Sequence, residues 1–377
     1  MKAGWQTRTF REVLEIRNGR NQREVESAHG EFPIYGSAGN VMGMATDYIC
    51  EAGTTIIGRK GNINSPIYSE TRFWNVDTAC GLTAKACLDS RFLYYFCLLY
   101  DFGALNRGTT IPSLVKSELL NISIPLPPLP EQQRIVAILD EAFAGIATAR
   151  TNAEQNRQNA RALFESHLQS VFSLRGDGWV EKTLDEAVDN RCSLSYGIVQ
   201  PGEDQPDGLP IVRPTDLGIK TIELDGLKRI DPSLADSYRR TTLRGGDLLL
   251  CVRGSTGVIS IASDALAGGN VTRGIVPIHF DDTLVNQNFG YYLMRSEPVQ
   301  QQIREKTYGA ALMQINIRDL RNLILPIPPR AAQAELADRF ESMLEETQRL
   351  EALYQRKLEA LDELKQSLLH QAFSGTL

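Results

Sequence analysis

The amino-acid sequence contains an internal repeat that runs through most of its 377 residues. Residues 125–135 read PLPPLPEQQRI and residues 326–336 read PIPPRAAQAEL, and the two segments lie 201 positions apart. The same offset brings Phe-Ser at 172–173 onto Phe-Ser at 373–374 without an insertion. A repeat of this length predicts two copies of one structural unit, so the sequence has to be interpreted in pairs.

Each copy contains a long segment that predicts a helix. Prolines within 125–130 and 326–329 stop a helix from extending back through them, because proline lacks an amide donor and fixes φ. Residues 131–172 and 332–373 contain no proline, and their apolar residues recur at steps of three and four. Each helix would be about 63 Å long at 1.5 Å per residue. We expect an antiparallel pair; the alternative is two separate helices on separate cores.

The apolar repeats also predict which residues join the two helices. Small residues dominate the first helix where large ones dominate the second, so the surfaces can interdigitate. On the first helix the predicted contact residues are Ile135, Leu139, Ala142, Ile146, Ala149, Ala153, Asn156, Ala160 and Leu163. On the second they are Leu336, Phe340, Met343, Leu350, Tyr354, Leu361, Leu364 and Leu368, interrupted by Thr347 and Lys357.

The repeat and the proline segments divide the chain into four parts. Short strand-like runs bounded by Gly, Asn and Asp occur at 54–57, 247–252, 258–261 and 274–278. We therefore predict an α+β protein in which two globular mixed α/β domains are joined by two long antiparallel coiled-coil helices. The predicted parts are the first domain (1–124), the first proline elbow and helix (125–175), the second domain (176–325), and the second elbow and helix (326–377).

Charge and hydropathy narrow the possible functions. The chain has 40 basic and 46 acidic residues, a net charge of −6, and the acidic excess lies after residue 175. Because lysine and arginine usually supply most of the affinity for DNA, any DNA contact must come from local basic clusters, helped by a partner. No apolar run suits a secretory signal or a membrane span, so we expect a cytoplasmic protein.

Sequence signatures of catalysis and metal binding are missing. The six cysteines form no C-x-x-C pair and the four histidines do not group near them, which argues against a zinc site. The sequence has no G-x-x-x-x-G-K-[ST] or G-x-G-x-x-G loop, and no N-P-P-Y tetrapeptide of a methyltransferase. We expect no catalytic residue, no metal and no cofactor in this chain.

Several motifs, taken in order, resemble the specificity subunits of Type I restriction–modification systems. The resemblance covers nearly the whole chain, and the order and duplication of the motifs make it specific. The motifs are FPIYGS at 32–37, IGRKG at 57–61, FWNVDTA at 73–79, IPSL at 111–114, PLPPLPEQ at 125–132, PIVRPTDL at 210–217 and GDLLLCVRG at 246–254. The second elbow departs from the pattern at 330–333, which puts an equal role of the two elbows in doubt.

The resemblance implies a function. Each globular domain looks like a target recognition domain that reads one half of a split, asymmetric DNA sequence, and the helices look like the spacer between the halves. Two adenine-N6 methyltransferase subunits would dock on the helices, giving a two-to-one complex, and restriction motor-nuclease subunits would join for cleavage. S-adenosylmethionine and ATP would belong to those partners. The residues expected to bind the partner subunits are Glu131, Gln132, Gln133 and Gln333.

Basic and polar residues that follow predicted strands are the candidates for DNA contact. Arginine can pair bidentately with guanine or grip a phosphate, lysine suits phosphate, and asparagine can read adenine. A solvated turn is the alternative at each position, and Asp216 could instead orient Arg213. The candidates are Arg59, Lys60, Asn62, Asn64, Arg107, Thr109, Arg213, Thr215, Arg253, Ser255, Thr256, Thr272 and Arg273.

Two other functions remain open on the sequence alone. One is a coiled-coil adaptor whose two domains bind ligands other than DNA, which co-purification with a methyltransferase would distinguish. The other is a standalone enzyme, which the missing nucleotide and metal motifs argue against.

Overall fold

A computed structural model describes residues 4–37, 39–310 and 312–377. The chain divides into two compact units, each of which takes part of both long helices. Unit 1 consists of Met1–Asn156 and Tyr354–Leu377, and unit 2 consists of Arg157–Leu353. The division into four sequence segments stays a prediction, since these units are defined by contacts and not by segment boundaries.

The two predicted long helices are present, and they pair antiparallel in both units. Leu129–Leu174 forms one helix and Arg330–Ser374 the other. In unit 1 the ammonium group of Lys365 lies 5.2 Å from the ring centre of Phe143. In unit 1 Arg150 donates to Asp362, and in unit 2 Arg161 donates to Glu351. Residue numbers therefore fall along the second helix as they rise along the first, which is the antiparallel arrangement.

The contact residues of these helices differ in part from the predicted set. Leu163 and Leu364 are 61% and 47% exposed, whereas the neighbouring Phe164 is buried. Thr347, predicted as an interruption, is buried. The cause is helical geometry: a straight helix turns every 3.6 residues and a heptad repeat every 3.5, so the buried face drifts by about 20° per heptad. Over several heptads the buried position moves to the next residue.

Unit 1 contains three small sheets. The four-stranded sheet has the order β2-β8-β5-β6, the three-stranded sheet β4-β3-β7, and β1 pairs with β9. Its strands are β1 Gln6–Thr9, β2 Leu14–Asn18, β3 Phe32–Tyr35, β4 Val41–Ala45, β5 Thr54–Gly58, β6 Ile67–Ser69, β7 Trp74–Asn75, β8 Ala79–Ala84 and β9 Ser123–Leu126. Its helices are α1 Phe10–Val13, α2 Ser90–Leu99 and α3 Lys116–Leu119, followed by the long helix α4 Leu129–Leu174.

Unit 2, like unit 1, contains a four-stranded sheet, a three-stranded sheet and one pair of strands. Its sheets have the orders β12-β15-β14-β17 and β13-β11-β16, and β10 pairs with β18. Its strands are β10 Val180–Thr183, β11 Leu209–Val212, β12 Thr221–Ile222, β13 Arg229–Ile230, β14 Leu248–Cys251, β15 Ile259–Ala262, β16 Asn270–Val271, β17 Ile275–Ile278 and β18 Ile324–Ile327. Its helices are α5 Leu184–Ala187, α6 Gln287–Arg295, α7 Glu297–Lys306 and α8 Ile317–Arg321, followed by the long helix α9 Arg330–Ser374.

The four strand-like runs of the sequence correspond to β5, β14, β15 and β17. In each unit one antiparallel strand pair joins the first strand to the strand that precedes the long helix. Gln6 lies opposite Leu126 in unit 1, and Val180 lies opposite Ile327 in unit 2. The predicted α+β architecture with two long antiparallel helices is therefore confirmed. Among the described residues, no helix has both the length and the apolar character needed to cross a membrane.

Candidate DNA interface

In unit 1 the segment after β5 is held by backbone hydrogen bonds to a distant loop. Gly61 donates to Pro112 O at 2.9 Å, Leu114 donates to Arg59 O at 2.9 Å, and Arg107 donates to Ser113 O at 3.0 Å. Lys60 forms a β-bridge with Ser113. We call this set of backbone bonds the loop ladder of unit 1.

Unit 2 has an equivalent loop ladder. Gly254 donates to Met313 O at 2.8 Å, Ile315 donates to Val252 O at 3.0 Å, and Tyr308 donates to Gln314 O at 2.9 Å. Arg253 forms the β-bridge, with Gln314. The ladder therefore equates Arg253 with Lys60, and Tyr308 with Arg107.

Glycine is required at one corner of each ladder. Gly61 has φ +82° and Gly254 has φ +86°, a region that residues with a Cβ rarely adopt. The neighbouring residues Lys60 and Arg253 are thereby presented at a sharp turn directly after a buried strand.

Two basic side chains of the unit 1 ladder are available to a ligand. Among the described residues, neither Arg59 nor Lys60 has a side-chain hydrogen bond or ion pair, and Lys60 is exposed. Asn62 accepts a hydrogen bond from Ser65 at 3.1 Å, and Asn64 donates to Asp101 at 2.7 Å. Both asparagines are exposed, but Asn64 is also bound to a carboxylate of its own chain.

Arg107 lies in the same ladder and is part of an exposed ion pair. Its guanidinium donates twice to Glu118, at 2.9 and 2.6 Å. These hydrogen bonds raise the pKa of Arg107 and lower the pKa of Glu118. Thr109 is exposed in the turn that follows. Contact of Arg107 with a phosphate would therefore compete with Glu118, while Thr109 can be approached directly.

In unit 2 three of the candidates line one cavity of about 310 Å³. Arg253, Thr272 and Arg273 lie on its wall beside Ile198 and Leu312. The Arg253 Nε and the Thr272 Oγ1 are buried without a hydrogen-bond partner among the described residues. Unpaired buried donors are costly, so these two atoms favour a polar ligand at this position.

The remaining unit 2 candidates follow β11 and β14. Arg213 donates to both carboxylate oxygens of Asp216, at 3.1 and 2.8 Å, and this contact raises the pKa of Arg213. Asp216 thus orients Arg213, as the sequence allowed. Thr215 and Ser255 are exposed, whereas the Oγ1 of Thr256 is buried without a partner among the described residues.

The elbow glutamines Gln132 and Gln333 are fully buried and bonded within their own units. Gln132 accepts from Asp89 N at 2.7 Å and donates to the carbonyl oxygens of Cys87 and Pro127 at 3.0 and 2.9 Å. These bonds leave no atom of the Gln132 amide for a partner subunit.

Gln333 repeats this pattern in unit 2. It accepts from Asn286 N at 2.7 Å and donates to Leu284 O and Pro328 O at 2.8 and 2.9 Å. Each amide ties an elbow to the first turn of a domain helix. On the first long helix Gln133 is exposed, whereas Glu131 is half-buried and accepts hydrogen bonds from Arg134 at 2.7 and 3.0 Å.

Sequence reasoning missed the residues that organise this end of each unit. Asn75 is buried and donates to Arg17 O and Ala79 O, and Asn270 is buried and donates to Tyr238 O. It also missed Arg20, which follows β2 and has no motif around it except an Asn-Gly turn. Among the described residues, no group of three His, Cys, Asp or Glu is placed to hold a metal.

Comparison with protein families gives a match over most of the chain. A model described as Type I restriction modification DNA specificity domain matches residues 2–156 and 208–360. The EcoBI specificity subunit of a Type I restriction enzyme from Escherichia coli is 25% identical over 348 residues, which are 85% of this chain and 73% of that protein. The MjaVIII specificity subunit from Methanocaldococcus jannaschii is 22% identical over 344 residues, 86% of this chain and 76% of that protein.

Two solved structures share the fold. A chain from a study of complex assembly and conformational transition in the type I R-M system superimposes with a TM-score of 0.79 at 20% identity, covering 100% of this chain and 99% of the other. The HsdS subunit from Thermoanaerobacter tengcongensis gives a TM-score of 0.60 at 19% identity, covering 100% and 98%. At these identities the likeness concerns the fold alone.

Proposed function

Since the chain belongs to the Type I restriction modification DNA specificity family, as its motifs predicted, we propose that it reads a bipartite, asymmetric DNA sequence, one half with each unit. As a specificity subunit it is a non-catalytic component of the restriction–modification complex. The observation that carries the proposal is the duplicated loop ladder, which presents Lys60 and Arg253 at equivalent turns.

The two ladders support two different half-sites. Their backbones correspond, so both units can approach DNA in the same manner. Their side chains differ, because unit 1 offers Arg59, Lys60, Asn62 and Arg107 where unit 2 offers Arg253 and a cavity with two unpaired donors. Phosphate contacts would fix the register and a few side chains per unit would read base edges in the major groove. The full set of proposed contacts also includes Asn64, Thr109, Arg213, Thr215, Ser255, Thr256, Thr272 and Arg273.

Partner subunits complete the proposed complex. Two adenine-N6 methyltransferase subunits bind the chain, with the half-buried Glu131 and the exposed Gln133 as the elbow candidates, and motor-nuclease subunits join for cleavage. S-adenosylmethionine and ATP bind to those partners, in the cytoplasm. The net charge of −6 supports this division, since the chain alone lacks the positive charge that tight DNA binding requires.

Mapping of N6-methyladenine in cells that express the chain with its methyltransferase tests the proposal. We expect methylation at one split sequence with two unlike halves. Arg59→Ala should relax or abolish recognition of one half and Arg253→Ala that of the other, each by about 1–3 kcal/mol in target binding. The two variants serve as controls for each other. Identical maps for both variants and the wild-type chain would exclude these contacts, and methylation at a continuous sequence would exclude a bipartite target.

The spacer role of the helices has its own test. Four residues inserted into the exposed middle of Leu129–Leu174, with a matching insertion in Arg330–Ser374, should lengthen the gap between the halves and leave both halves unchanged. A mapped gap of unchanged length would contradict the spacer.

A further inference from the structure

Unit 1 contains a second polar surface, and the residues described on it are not among those that the sequence predicted to contact DNA. It is a cavity of about 590 Å³ next to the end of β2. The side chains that matter in it are Arg17, Asn18, Arg20, Asp47, Tyr48 and Trp74.

This cavity lies at the same end of the sheet as the loop ladder. β2 and β5 both pair antiparallel with β8, with Asn18 opposite Cys80 and Gly58 opposite Ala79. The two strands therefore run in the same direction and end at the same edge. Residues that follow β2 emerge beside those that follow β5, which are Arg59 and Lys60.

One short segment binds both loops. Thr78 O accepts from Arg59 N at 2.8 Å and from Lys60 N at 3.1 Å. Asn75 O, three residues earlier, accepts from Arg20 N at 2.9 Å. The backbone of Arg20 is thus fixed relative to the predicted DNA contacts, although its side chain is exposed.

The cavity offers hydrogen-bond donors and not open aromatic faces. The ring of Tyr48 already has Phe32 at 5.1 Å and the Arg72 guanidinium at 4.8 Å. Trp74 is only 7% exposed, and its indole N–H donates to Arg20 O at 3.1 Å. A nucleobase would find no free ring on which to stack, so the donors of the arginines determine what can bind.

The charge balance of the cavity favours an anion. Arg17 donates one of its N–H groups to Ile49 O at 3.0 Å and lies 3.9 Å from Glu15. Arg20 has no side-chain hydrogen bond or ion pair among the described residues. Among the described residues of the cavity wall, Asp47 is the only carboxylate, and it accepts from the backbone N–H of Tyr48 at 2.8 Å.

We propose that this cavity binds a backbone phosphate of the DNA, next to the bases that Arg59 and Lys60 contact, with Arg20 as its main ligand and Arg17 in support. The inference rests on the proposed function and assigns a sequence-independent anchor to unit 1. A phosphate neutralised by arginine adds affinity and fixes register without adding base preference.

The corresponding place in unit 2 is built from different side chains. A Cβ added at Gly19 would lie 1.8 Å from Val76 O, and one added at Gly197 would lie 2.0 Å from Val271 O. These glycines occupy equivalent positions, and the residue that follows Gly197 is the buried, apolar Ile198 instead of arginine. An arginine directly after this glycine is therefore found in unit 1, whereas the arginines beside Ile198 in unit 2 are Arg253 and Arg273.

The test uses the full chain assembled with its methyltransferase subunits and a duplex that carries the mapped target. Arg20→Ala should weaken binding roughly tenfold for target and unrelated DNA alike, and should lower the slope of log K against log salt by about 1. Arg11→Ala is the matched control, since Arg11 is an exposed arginine before β2, at the opposite end of that strand. The methylated sequence should be the same for both variants.

Uncharged methylphosphonate linkages provide a second measurement that needs no variant. Placed one at a time along the half-site, one linkage should weaken binding of the wild-type complex and have little further effect on Arg20→Ala. The inference is overturned if no linkage shows this coupling, or if Arg20→Ala alters the bases recognised. A wild-type complex that recognises no DNA would instead overturn the proposed function.

Discussion

Lys60 in unit 1 and Arg253 in unit 2 occupy the same position of the duplicated loop ladder, but their surroundings differ. In unit 1 the ladder also carries Arg107, which is bound to Glu118. Unit 2 has Tyr308 at the position of Arg107, and the residue that corresponds to Glu118 is Asp319, which accepts a hydrogen bond from Asn316. The backbone frame has been kept in both copies while the charged side chains on it have changed.

This difference separates two roles of the residues. Backbone bonds and buried residues hold the frame, and they recur at matching positions in both units. Side chains that reach solvent at the end of the sheet do not recur, and under the proposed function these are the ones that would distinguish DNA sequences. The following predictions test that separation, beginning with the frame.

The largest effect is expected in the buried aromatic cluster of unit 2. Phe172 is fully buried and packs on Phe340 and Phe289, with centroids 6.1 and 5.8 Å apart. Phe172→Ala should lower the free energy of unfolding of unit 2 by about 3–5 kcal/mol. Phe373, its counterpart in unit 1, is only partly buried, so Phe373→Ala should cost less. Urea unfolding monitored separately in the two units would show the opposite order if the comparison is wrong.

The elbow amides should be equally important in both units. Replacing Gln132 or Gln333 with leucine leaves a buried N–H and two buried carbonyl groups without their partner, at a cost of about 1–3 kcal/mol each. Both variants should lower the melting temperature of the full chain by similar amounts. A clear loss for Gln132→Leu with none for Gln333→Leu would show that the second elbow has lost this role.

Exchanging arginine and lysine tests whether Lys60 and Arg253 are used in different ways. Arg253→Lys keeps the charge but removes the planar donor set that lines the unit 2 cavity, so target binding should weaken by about 1 kcal/mol. Lys60→Arg, the reciprocal exchange at an exposed position, should leave binding unchanged or stronger. Fluorescence anisotropy with the mapped duplex measures both, and equal losses would mean that the two positions are used alike.

The smallest effect concerns the capping boxes that start each unit. Hydrogen bonds from Thr9 hold the pKa of Glu12 at about 2, and those from Thr183 lower the pKa of Glu186. A lowered pKa means that the carboxylate contributes stability above its unfolded value of 4.5, and that this contribution is lost as the pH falls toward 2.

Glu12→Gln, which can still accept the hydrogen bond, should therefore have a flatter stability profile than the wild-type chain in this range. Urea midpoints at pH 7 and pH 3 measure the difference. If the two chains lose equal stability on acidification, the carboxylate is not linked to folding.

The sequence was sufficient to predict the duplication, the fold class and both long helices. Proline bounds and apolar spacing are local signals, so the observed ends at Leu129 and Leu174 lie within two residues of the prediction. Which residues form the buried face was harder to predict, because the small difference between the helical and heptad periods accumulates along the helix. Phe164 is therefore buried where Leu163 was predicted.

The candidate site was predicted only in part, because its geometry depends on pairing between distant segments. The ladder joins Lys60 to Ser113 and Arg253 to Gln314, and the offset between equivalent residues changes inside the unit. One missed feature did have a signal: glutamine is kept at both Gln132 and Gln333 while the residues around it differ. Arg20 had no such signal, because its position near Arg59 and Lys60 results from the order of the strands in the sheet, which the sequence did not reveal.

The loop ladder has a consequence for how the target of such a protein can change. Its bonds are made by main-chain atoms, so replacing Lys60, Thr109 or Ile111 removes none of them. Variation can therefore accumulate at these positions without loss of folding, provided that Gly61 keeps the turn. Under the proposed function, a single gene could in this way acquire a new recognition sequence in one half while the other half, and the assembly of the complex, remain as they were.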